Sequence, residues 1–418
     1  MKKSNFLKSF FCIALSMLLA LSFTGCSKVK AENLMQNITA NEPTVNSLDI
    51  DSAVAGLASD FAVRLYKACS KNGQNTLVSP LSVMSALSMT ANGANGETLS
   101  QMEKALGIKS EDLNMFFYKY MQKTVKDQSA LKLANSIWFN DSTSFSANRE
   151  FLQTNADYYK ADIYKAPFNS ATLNEINKWV NEKTDKTIPN ILDNLSDESV
   201  MCILNALAFE ENWNDPYAEE DVSQGNFILE SGEKRLVSFL NGSEGTYLSD
   251  SKATGFIKYY ESNKFAFAAL LPNEGINLSD YINSLNGDGL HKMLSNPQYE
   301  TVLTSMPKFE TGYETEMSSV LKTMGIKDAF NPDTADFNTL GKSKNGKIFI
   351  NSVVHKTFIS VTEKGTKAGA ATAVILKDGS ALNEKPKTVI LNRPFLYMLI
   401  DCETNLPFFI GSMYDVQG

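Results

Sequence analysis

The feature that most constrains this fold is a run of small residues near the C-terminal end, over residues 363–374. It follows a β-branched segment, residues 358–362, and therefore predicts both a hinge and a strand that could form later. Because side chains alternate along a strand, one of its faces would carry no charge and no proline. That face holds Thr366, Ala368, Ala370, Thr372, Val374 and Leu376. Such a segment could enter an existing sheet, although its composition alone also fits a flexible surface loop.

The first 25 residues have the pattern of a targeting segment. Lysines at positions 2, 3 and 8 precede an apolar run over residues 10–23, and small residues follow. This run is too short and too early for an ordinary membrane span. The pattern is typical of a secretory signal peptide, which we expect to occupy residues 1–25.

The end of this signal, Phe23-Thr-Gly-Cys26, resembles the lipobox of bacterial lipoproteins, although Phe23 is bulkier than the leucine that is usual there. The resemblance implies that Cys26 becomes the lipidated first residue, which would anchor the protein to the membrane at the cell envelope. Plain secretion, with the protein released outside the cell, is the alternative. Residues 26–50 are polar and show no periodicity, which predicts a tether.

The remaining chain, residues 51–418, contains no linker rich in proline, glycine or serine and no internal repeat, so we expect a single domain. The net charge of −8, which is more negative without the signal lysines, argues against a nucleic-acid partner. Cys69, Cys202 and Cys402 stand alone in apolar settings without Cys-x-x-Cys spacing. We therefore expect buried free thiols rather than disulfides or a metal site, and no cofactor.

The chain changes character along its length. Helical periodicity dominates the first half and strand-like runs dominate the second, which predicts an α+β fold. The sequence Thr-Leu-Ser-Gln at 98–101 matches a capping box and predicts the start of a helix. Another helix is predicted over residues 314–324, among the later strands.

Signatures of catalysis are missing from the sequence. It contains only two histidines, His291 and His355, with no metal-binding spacing, no Gly-x-Ser-x-Gly elbow and no phosphate-binding glycine loop. His355 lies in the apolar run 348–361, where a hydrogen-bonded core histidine is favoured over a general base. We therefore do not expect an enzyme.

Several blocks, ordered from about residue 50 to the end, resemble the serpin family. Residues 75–86 and 93–98 are similar to the segment that opens helix B and leads to helix C, and residues 204–213 to the central strand with its Asn and distal Trp. The later blocks are Met306-Pro-Lys-Phe309, Val354-His-Lys356, Glu363-Lys-Gly-Thr366, Asn392-Arg-Pro-Phe395 and Pro407-Phe-Phe-Ile-Gly411. Each block alone is modest, but their ordered combination is specific, and the chain is identified as a bacterial serpin.

The resemblance implies a fold and a set of roles. The fold would cluster helices in the N-terminal half around a five-stranded main sheet, with two smaller antiparallel sheets and an exposed reactive-centre loop near the C-terminus. A polar cluster beneath the main sheet, the shutter, would consist of Ser79, Ser82, Asn205 and His355. The breach at the top of that sheet would contain Trp213, Lys308 and Glu363, with Lys308 paired to Glu363. The hinge of the loop would consist of Glu363, Gly365, Thr366, Ala368, Ala370 and Thr372.

The resemblance also implies a serine protease inhibitor that acts as a suicide substrate. A serine protease outside the cell, or alternatively a cysteine protease, would cut the loop and form an acyl-enzyme. The cut loop would then enter the main sheet and trap the protease covalently. The protein is expected to be a monomer.

A different function stays open, that of a non-inhibitory serpin-like surface lipoprotein that binds a ligand or partner. Such relatives carry bulky, charged or proline residues on the inward face of the hinge, so the uncharged face found here favours the inhibitor. Two residues depart from the family hinge, since Lys367 replaces a usual Glu and Gly369 a usual Ala. Both have outward parity, so we expect little harm.

The scissile bond has several candidate positions. The usual serpin register places it between Gly379 and Ser380, but the span from Gly365 to Pro394 is several residues longer than is common. Lys377 would suit a trypsin-like protease, whereas a leucine would suit a chymotrypsin-, elastase- or subtilisin-like one. The candidate region comprises Leu376, Lys377, Asp378, Gly379, Ser380 and Leu382.

Overall fold

A computed structural model of the chain describes residues 31–125, 130–141, 144–344, 346–366 and 385–417. The α-helices are α1 (Ser52–Cys69), α2 (Pro80–Ala91), α3 (Gly96–Leu106), α4 (Ser110–Val125), α5 (Arg149–Tyr159), α6 (Ser170–Lys183), α7 (Leu278–Ser284), α8 (Gly287–Ser295) and α9 (Ser318–Thr323). None of the helices in these ranges is long and apolar enough to cross a membrane.

The strands in the N-terminal half are β1 (Glu32–Asn33), β2 (Thr76–Val78), β3 (Leu131–Asn140), β4 (Ser146–Ala147), β5 (Asp162–Ala166), β6 (Met201–Phe209) and β7 (Glu211–Asn212). Those of the C-terminal half are β8 (Val222–Ile228), β9 (Lys234–Glu244), β10 (Tyr247–Ser249), β11 (Ala253–Tyr259), β12 (Phe265–Pro272), β13 (Val302–Pro307), β14 (Phe309–Glu316), β15 (Gly341–Lys342), β16 (Ser352–Val361), β17 (Gly365–Thr366), β18 (Lys387–Ile390), β19 (Phe395–Asp401) and β20 (Leu406–Met413). The α+β prediction is confirmed.

The main sheet runs in the order β1, β5, β3, β6, β16, and β14 lies beyond β16. Its five long strands, β5, β3, β6, β16 and β14, agree with the predicted five-stranded sheet. The two-residue strands β1, β17 and β7 bring the sheet to eight strands within the described part of the chain. All nine residues of β6 are buried, as expected for a central strand that is covered on both faces.

Two smaller sheets pack beside the main sheet. The first is antiparallel, in the order β10, β11, β12, β19, β20, β2, and the second runs β18, β13, β9, β8. In the second sheet β13 and β18 are parallel, and this pair departs from the two smaller antiparallel sheets that the resemblance implies. A short pair, β4 with β15, stands apart.

The N-terminal segment departs from the predicted tether. Residues 32–33 pair with β5 at the edge of the main sheet, and Leu34, Met35 and Ile38 pack against the hydrophobic core. The N–H of Asn41 donates to Asp157 Oδ1 at 2.7 Å. The tether prediction is therefore wrong for residues 31–41, because their few apolar side chains pack against the core and their backbone bonds to strand β5 and helix α5.

Candidate functional site

A row of polar side chains crosses three neighbouring strands of the main sheet. Asn135 on β3 lies opposite Asn205 on β6, and Asn205 lies opposite His355 on β16. The side chains of Asn205 and His355 are fully buried. Because buried polar groups must be paired, these strands depend on hydrogen bonds within the row.

Those hydrogen bonds form one directed chain. The backbone N–H of Ser79 donates to His355 Nε2 at 3.1 Å. The opposite ring nitrogen, Nδ1, lies 2.5 Å from Asn205 Oδ1, and Asn205 Nδ2 donates to Asn135 Oδ1 at 2.7 Å. Since Nε2 accepts a hydrogen bond, the proton of the neutral ring is on Nδ1, which donates to Asn205.

Burial lowers the pKa of His355 from its ordinary value to about 3. If His355 bound a second proton, Nε2 would carry a hydrogen that faces the Ser79 N–H. Nε2 could then no longer accept the hydrogen bond from Ser79. The ring is thus neutral at physiological pH, and it joins β16 to both β6 and the start of helix α2.

Ser79 also caps that helix. Its Oγ accepts the N–H of Ser82 at 3.3 Å, and Pro80 follows at the first helical position, where its missing N–H costs nothing. The Ser82 hydroxyl is buried and has no hydrogen-bond partner within the described ranges. The structure therefore brings Ser79, Asn205 and His355 into one network and leaves the Ser82 hydroxyl outside it.

The first residues of the predicted hinge lie inside the main sheet. Gly365 and Thr366 form β17, in which Thr366 pairs with Val361 of β16 on one side and with Glu211 of β7 on the other. The Thr366 side chain is 1% exposed. A Cβ atom at Gly365 would lie 2.2 Å from the carbonyl oxygen of Glu211, so this close approach of two backbones requires glycine.

Beyond β17, strand β16 pairs directly with β6, the strand that precedes β7 in the chain. Residues 352–357 of β16 pair in parallel with residues 202–207 of β6. The row of Asn205 and His355 lies within this closed part. In the main sheet, β17 thus separates β16 from β7 at one end, and the polar network lies where β16 and β6 are paired directly.

The residues that lead into β17 are fixed through their backbone carbonyls. The N–H of Trp213 donates to Lys364 O at 2.8 Å, and the N–H of Tyr217 donates to Glu363 O at 2.9 Å. The indole N–H of Trp213 donates to Thr362 O at 2.9 Å. Trp213 is 1% exposed, so it serves both as a packed core residue and as the support for the base of the loop.

Lys308 and Glu363 form the ion pair that the resemblance to the family implies. Lys308 Nζ lies 2.5 Å from Glu363 Oε1, and both side chains are about one-third exposed. Partial burial raises the pKa of Glu363, but the hydrogen bonds to its carboxylate and the charges of Lys308 and Lys364 together outweigh it, so the pKa lies below its ordinary value. Because the pair faces solvent, its contribution to stability is about 1 kcal/mol or less.

Two residues of the site are missing from the sequence predictions. The Tyr260 hydroxyl lies 2.5 Å from Thr366 Oγ1, and its ring stacks on Trp213 with centroids 4.5 Å apart at 12°. Asn135 ends the shutter chain. Neither carries a sequence signal that separates it from ordinary core or strand residues, because each acquires its role from partners at least 47 positions away.

The other predicted site residues lie outside the described ranges. They are Cys26, Ala368, Ala370, Thr372, Leu376, Lys377, Asp378, Gly379, Ser380 and Leu382. In the rest of the chain, no group of His, Cys, Asp and Glu side chains is placed to hold a metal ion. Cys69 and Cys202 are buried free thiols, whereas Cys402 is free but only partly buried.

In this main sheet the start of a loop is inserted between two strands at one end, above the hydrogen-bonded polar row. This arrangement is typical of a serpin-type architecture. A family model described as serpin, serine protease inhibitor, matches residues 57–416. The chain belongs to the serpin family. Among curated proteins, an uncharacterized serpin-like protein of Thermococcus kodakarensis is 29% identical over 372 residues, which cover 87% of this chain and 86% of the relative.

Two solved structures of one thermophilic serpin, tengpin, bear on the conformation. The native-state structure aligns with a TM-score of 0.87 at 45% identity and covers 93% of this chain and 100% of its own. The latent-state structure aligns with a TM-score of 0.76 at 40% identity and covers 89% of this chain and 99% of its own. The present fold is thus more similar to the native state of that protein than to its latent state.

Proposed function

We propose that this protein is not an enzyme but a serine protease inhibitor that acts as a suicide substrate. The observation that carries the proposal is the placement of Thr366, which is buried and paired on both sides within the main sheet, directly above the closed part of β6 and β16. β17 is a strand of two residues that the following part of the loop could extend. Cleavage of the loop would release its C-terminal end and allow that continuation.

The register of β17 defines where a continued strand would run. Thr366 lies opposite Glu211 on one side and Val361 on the other. In an antiparallel continuation, each residue further along the loop pairs with the residues that lie the same number of positions before Glu211 and before Val361. Six residues on, Thr372 would come between Asn205 and His355, the two residues that now hydrogen-bond to each other. Its hydroxyl can donate and accept, and could therefore replace the hydrogen bond that insertion breaks.

The gain in free energy supports a trapping mechanism. The serine hydroxyl of the protease would attack the scissile carbonyl, the amine would leave with the C-terminal part, and an ester would remain on the inserting part. A new strand of about ten to fifteen residues forms ladder hydrogen bonds worth about 1 kcal/mol net each, on the order of ten kcal/mol in sum. A gain of this size can distort the active site of the attached protease, and trapping requires that insertion outruns hydrolysis of the ester by water.

A panel of trypsin-, chymotrypsin-, elastase- and subtilisin-like proteases tests the function. At least one should form a complex that survives boiling in SDS, and mass spectrometry of the released C-terminal peptide should place the cut between residues 376 and 382. Cleavage of the loop by the whole panel without any stable complex would contradict the proposal and favour the non-inhibitory alternative.

The lipobox-like Phe23-Thr-Gly-Cys26 supports a second proposal, that the mature protein is anchored at the cell envelope through a lipidated Cys26. An anchored inhibitor would meet proteases outside the cell as a monomer. Replacing Cys26 with Ala should move the protein from the membrane fraction to the medium. An unchanged membrane fraction for Cys26→Ala would show that the anchor lies elsewhere.

A further inference from the structure

A buried ion pair lies beside the base of the loop, outside the residues assigned to the breach. Lys258 Nζ of β11 lies 2.8 Å from Glu244 Oε1 at the end of β9, and the two side chains are only 4% and 12% exposed. The strands belong to different small sheets, so the pair joins the two sheets. Removing two charges from water is costly, and a pair this deeply buried needs further contacts to offset that cost.

Those contacts come from two aromatic rings. The Lys258 ammonium nitrogen lies 4.4 Å from the centroid of the Tyr217 ring and 5.6 Å from the centroid of the Trp213 ring. Both distances are within the range of a cation–π interaction, which is strongest when the cation is shielded from water. One ammonium therefore contacts both rings at once.

The same two residues hold the base of the loop. Their backbone N–H groups donate to the carbonyls of Glu363 and Lys364, and the Trp213 indole donates to Thr362. The Trp213 ring also stacks on Tyr260, whose hydroxyl bonds to Thr366. Among the described residues, the N–H groups that donate to the backbone carbonyls of residues 362–364 thus all belong to Trp213 and Tyr217, the two residues that Lys258 contacts.

We propose that Lys258, held by Glu244, is a positioning residue that fixes Trp213 and Tyr217 and through them the base of the loop. The proposal deepens the proposed inhibitory function and rests on it for its consequence in trapping. Because β17 is the first step of a new strand, a loosened base should slow insertion. Deacylation by water would then release more of the protease, and the protein would behave more as a substrate.

Lys258→Met removes the ammonium and keeps a side chain of similar length, but it leaves Glu244 buried without a partner. The double variant Lys258→Met/Glu244→Leu avoids that cost, since apolar replacement of a buried ion pair is often neutral for stability. Lys322→Met is a matched control, because it removes an ammonium 5.3 Å from the Phe330 ring, away from the loop.

The primary measurement is hydrogen exchange at the backbone N–H groups of Trp213 and Tyr217, which reports their hold on the loop and requires no protease. The double variant should exchange about tenfold faster than the parent at both amides, and Lys322→Met should match the parent. Unchanged exchange in a folded double variant would overturn the positioning role.

With a protease that the parent traps, the same double variant should shift the ratio of complex to cleaved product toward cleavage, while the rate of loop cleavage stays within about twofold of the parent. If the parent traps no protease but exchange still rises in the double variant, the inhibitory function fails and the positioning role stands. If the parent traps and the double variant traps equally well, Lys258 has no part in insertion.

Discussion

The hydrogen bond between Tyr260 and Thr366 should determine how firmly the first step of the new strand is held. Both hydroxyls are buried, with Thr366 1% exposed and Tyr260 0% exposed, and their oxygens lie 2.5 Å apart. Thr366→Val or Tyr260→Phe removes one hydroxyl with little change in shape. The remaining hydroxyl would be buried without a partner, which costs about 1–3 kcal/mol. At about 1.4 kcal/mol per factor of ten, β17 should open about 5- to 150-fold more often.

The double variant provides the control, because replacing both partners with apolar groups of the same shape is nearly neutral. Hydrogen exchange at the N–H of Thr362, which donates to Gly365 O at 2.9 Å, and at the N–H of Trp213 reports the opening. Exchange should rise in each single variant and return toward the parent in the double variant. Single variants that exchange like the parent, or a double variant whose effect equals the sum of the two, would refute this reasoning.

Two further predictions concern the rest of the native state. Deleting residues 31–41 should lower the unfolding temperature and expose the edge of β5, so the truncated protein should self-associate in size-exclusion chromatography, whereas deleting residues 26–30 should change neither property. Since the folded pKa of His355 is about 3, protons bind the unfolded chain preferentially, and stability is full above about pH 6.5 and falls toward pH 3. Urea midpoints between pH 7 and pH 4.5 should therefore depend less on pH in His355→Gln; an equal slope in both proteins would exclude the histidine as the source.

Sequence patterns predicted the parts of the fold that depend on local periodicity and on long ordered motifs. The β6 strand is almost wholly apolar, so its single Asn205 had to be a buried polar residue with a partner. The family blocks then indicated His355 as that partner, which the structure places opposite it in the sheet. The hydrogen bond between them needs no information beyond two strands and their register.

Elsewhere, contacts between residues that are distant in the sequence override the secondary structure that local sequence patterns predict. Thr98 looks like a helix cap in the sequence, but its hydroxyl accepts the N–H of Asp336 at 3.0 Å, and α3 begins two residues earlier at Gly96. The helix expected over residues 314–324 starts only at Ser318, because β14 continues to Glu316 in pairing with β16. The sequence signal that could have shown this is the alternation Phe-Glu-Thr-Gly-Tyr-Glu-Thr-Glu over residues 309–316, which is typical of a strand with one face on the core.

The central claim, that the loop traps a protease by entering the main sheet, is tested most directly by placing the same charge at two neighbouring positions. Thr366→Glu would bury a carboxylate directly opposite Glu211, whose pKa burial already raises. Lys367→Glu introduces the same side chain at a position of outward parity. Against a protease that the parent traps, the ratio of covalent complex to cleaved product should collapse for Thr366→Glu and stay close to the parent for Lys367→Glu. Equal trapping by the two variants would contradict loop insertion as the mechanism.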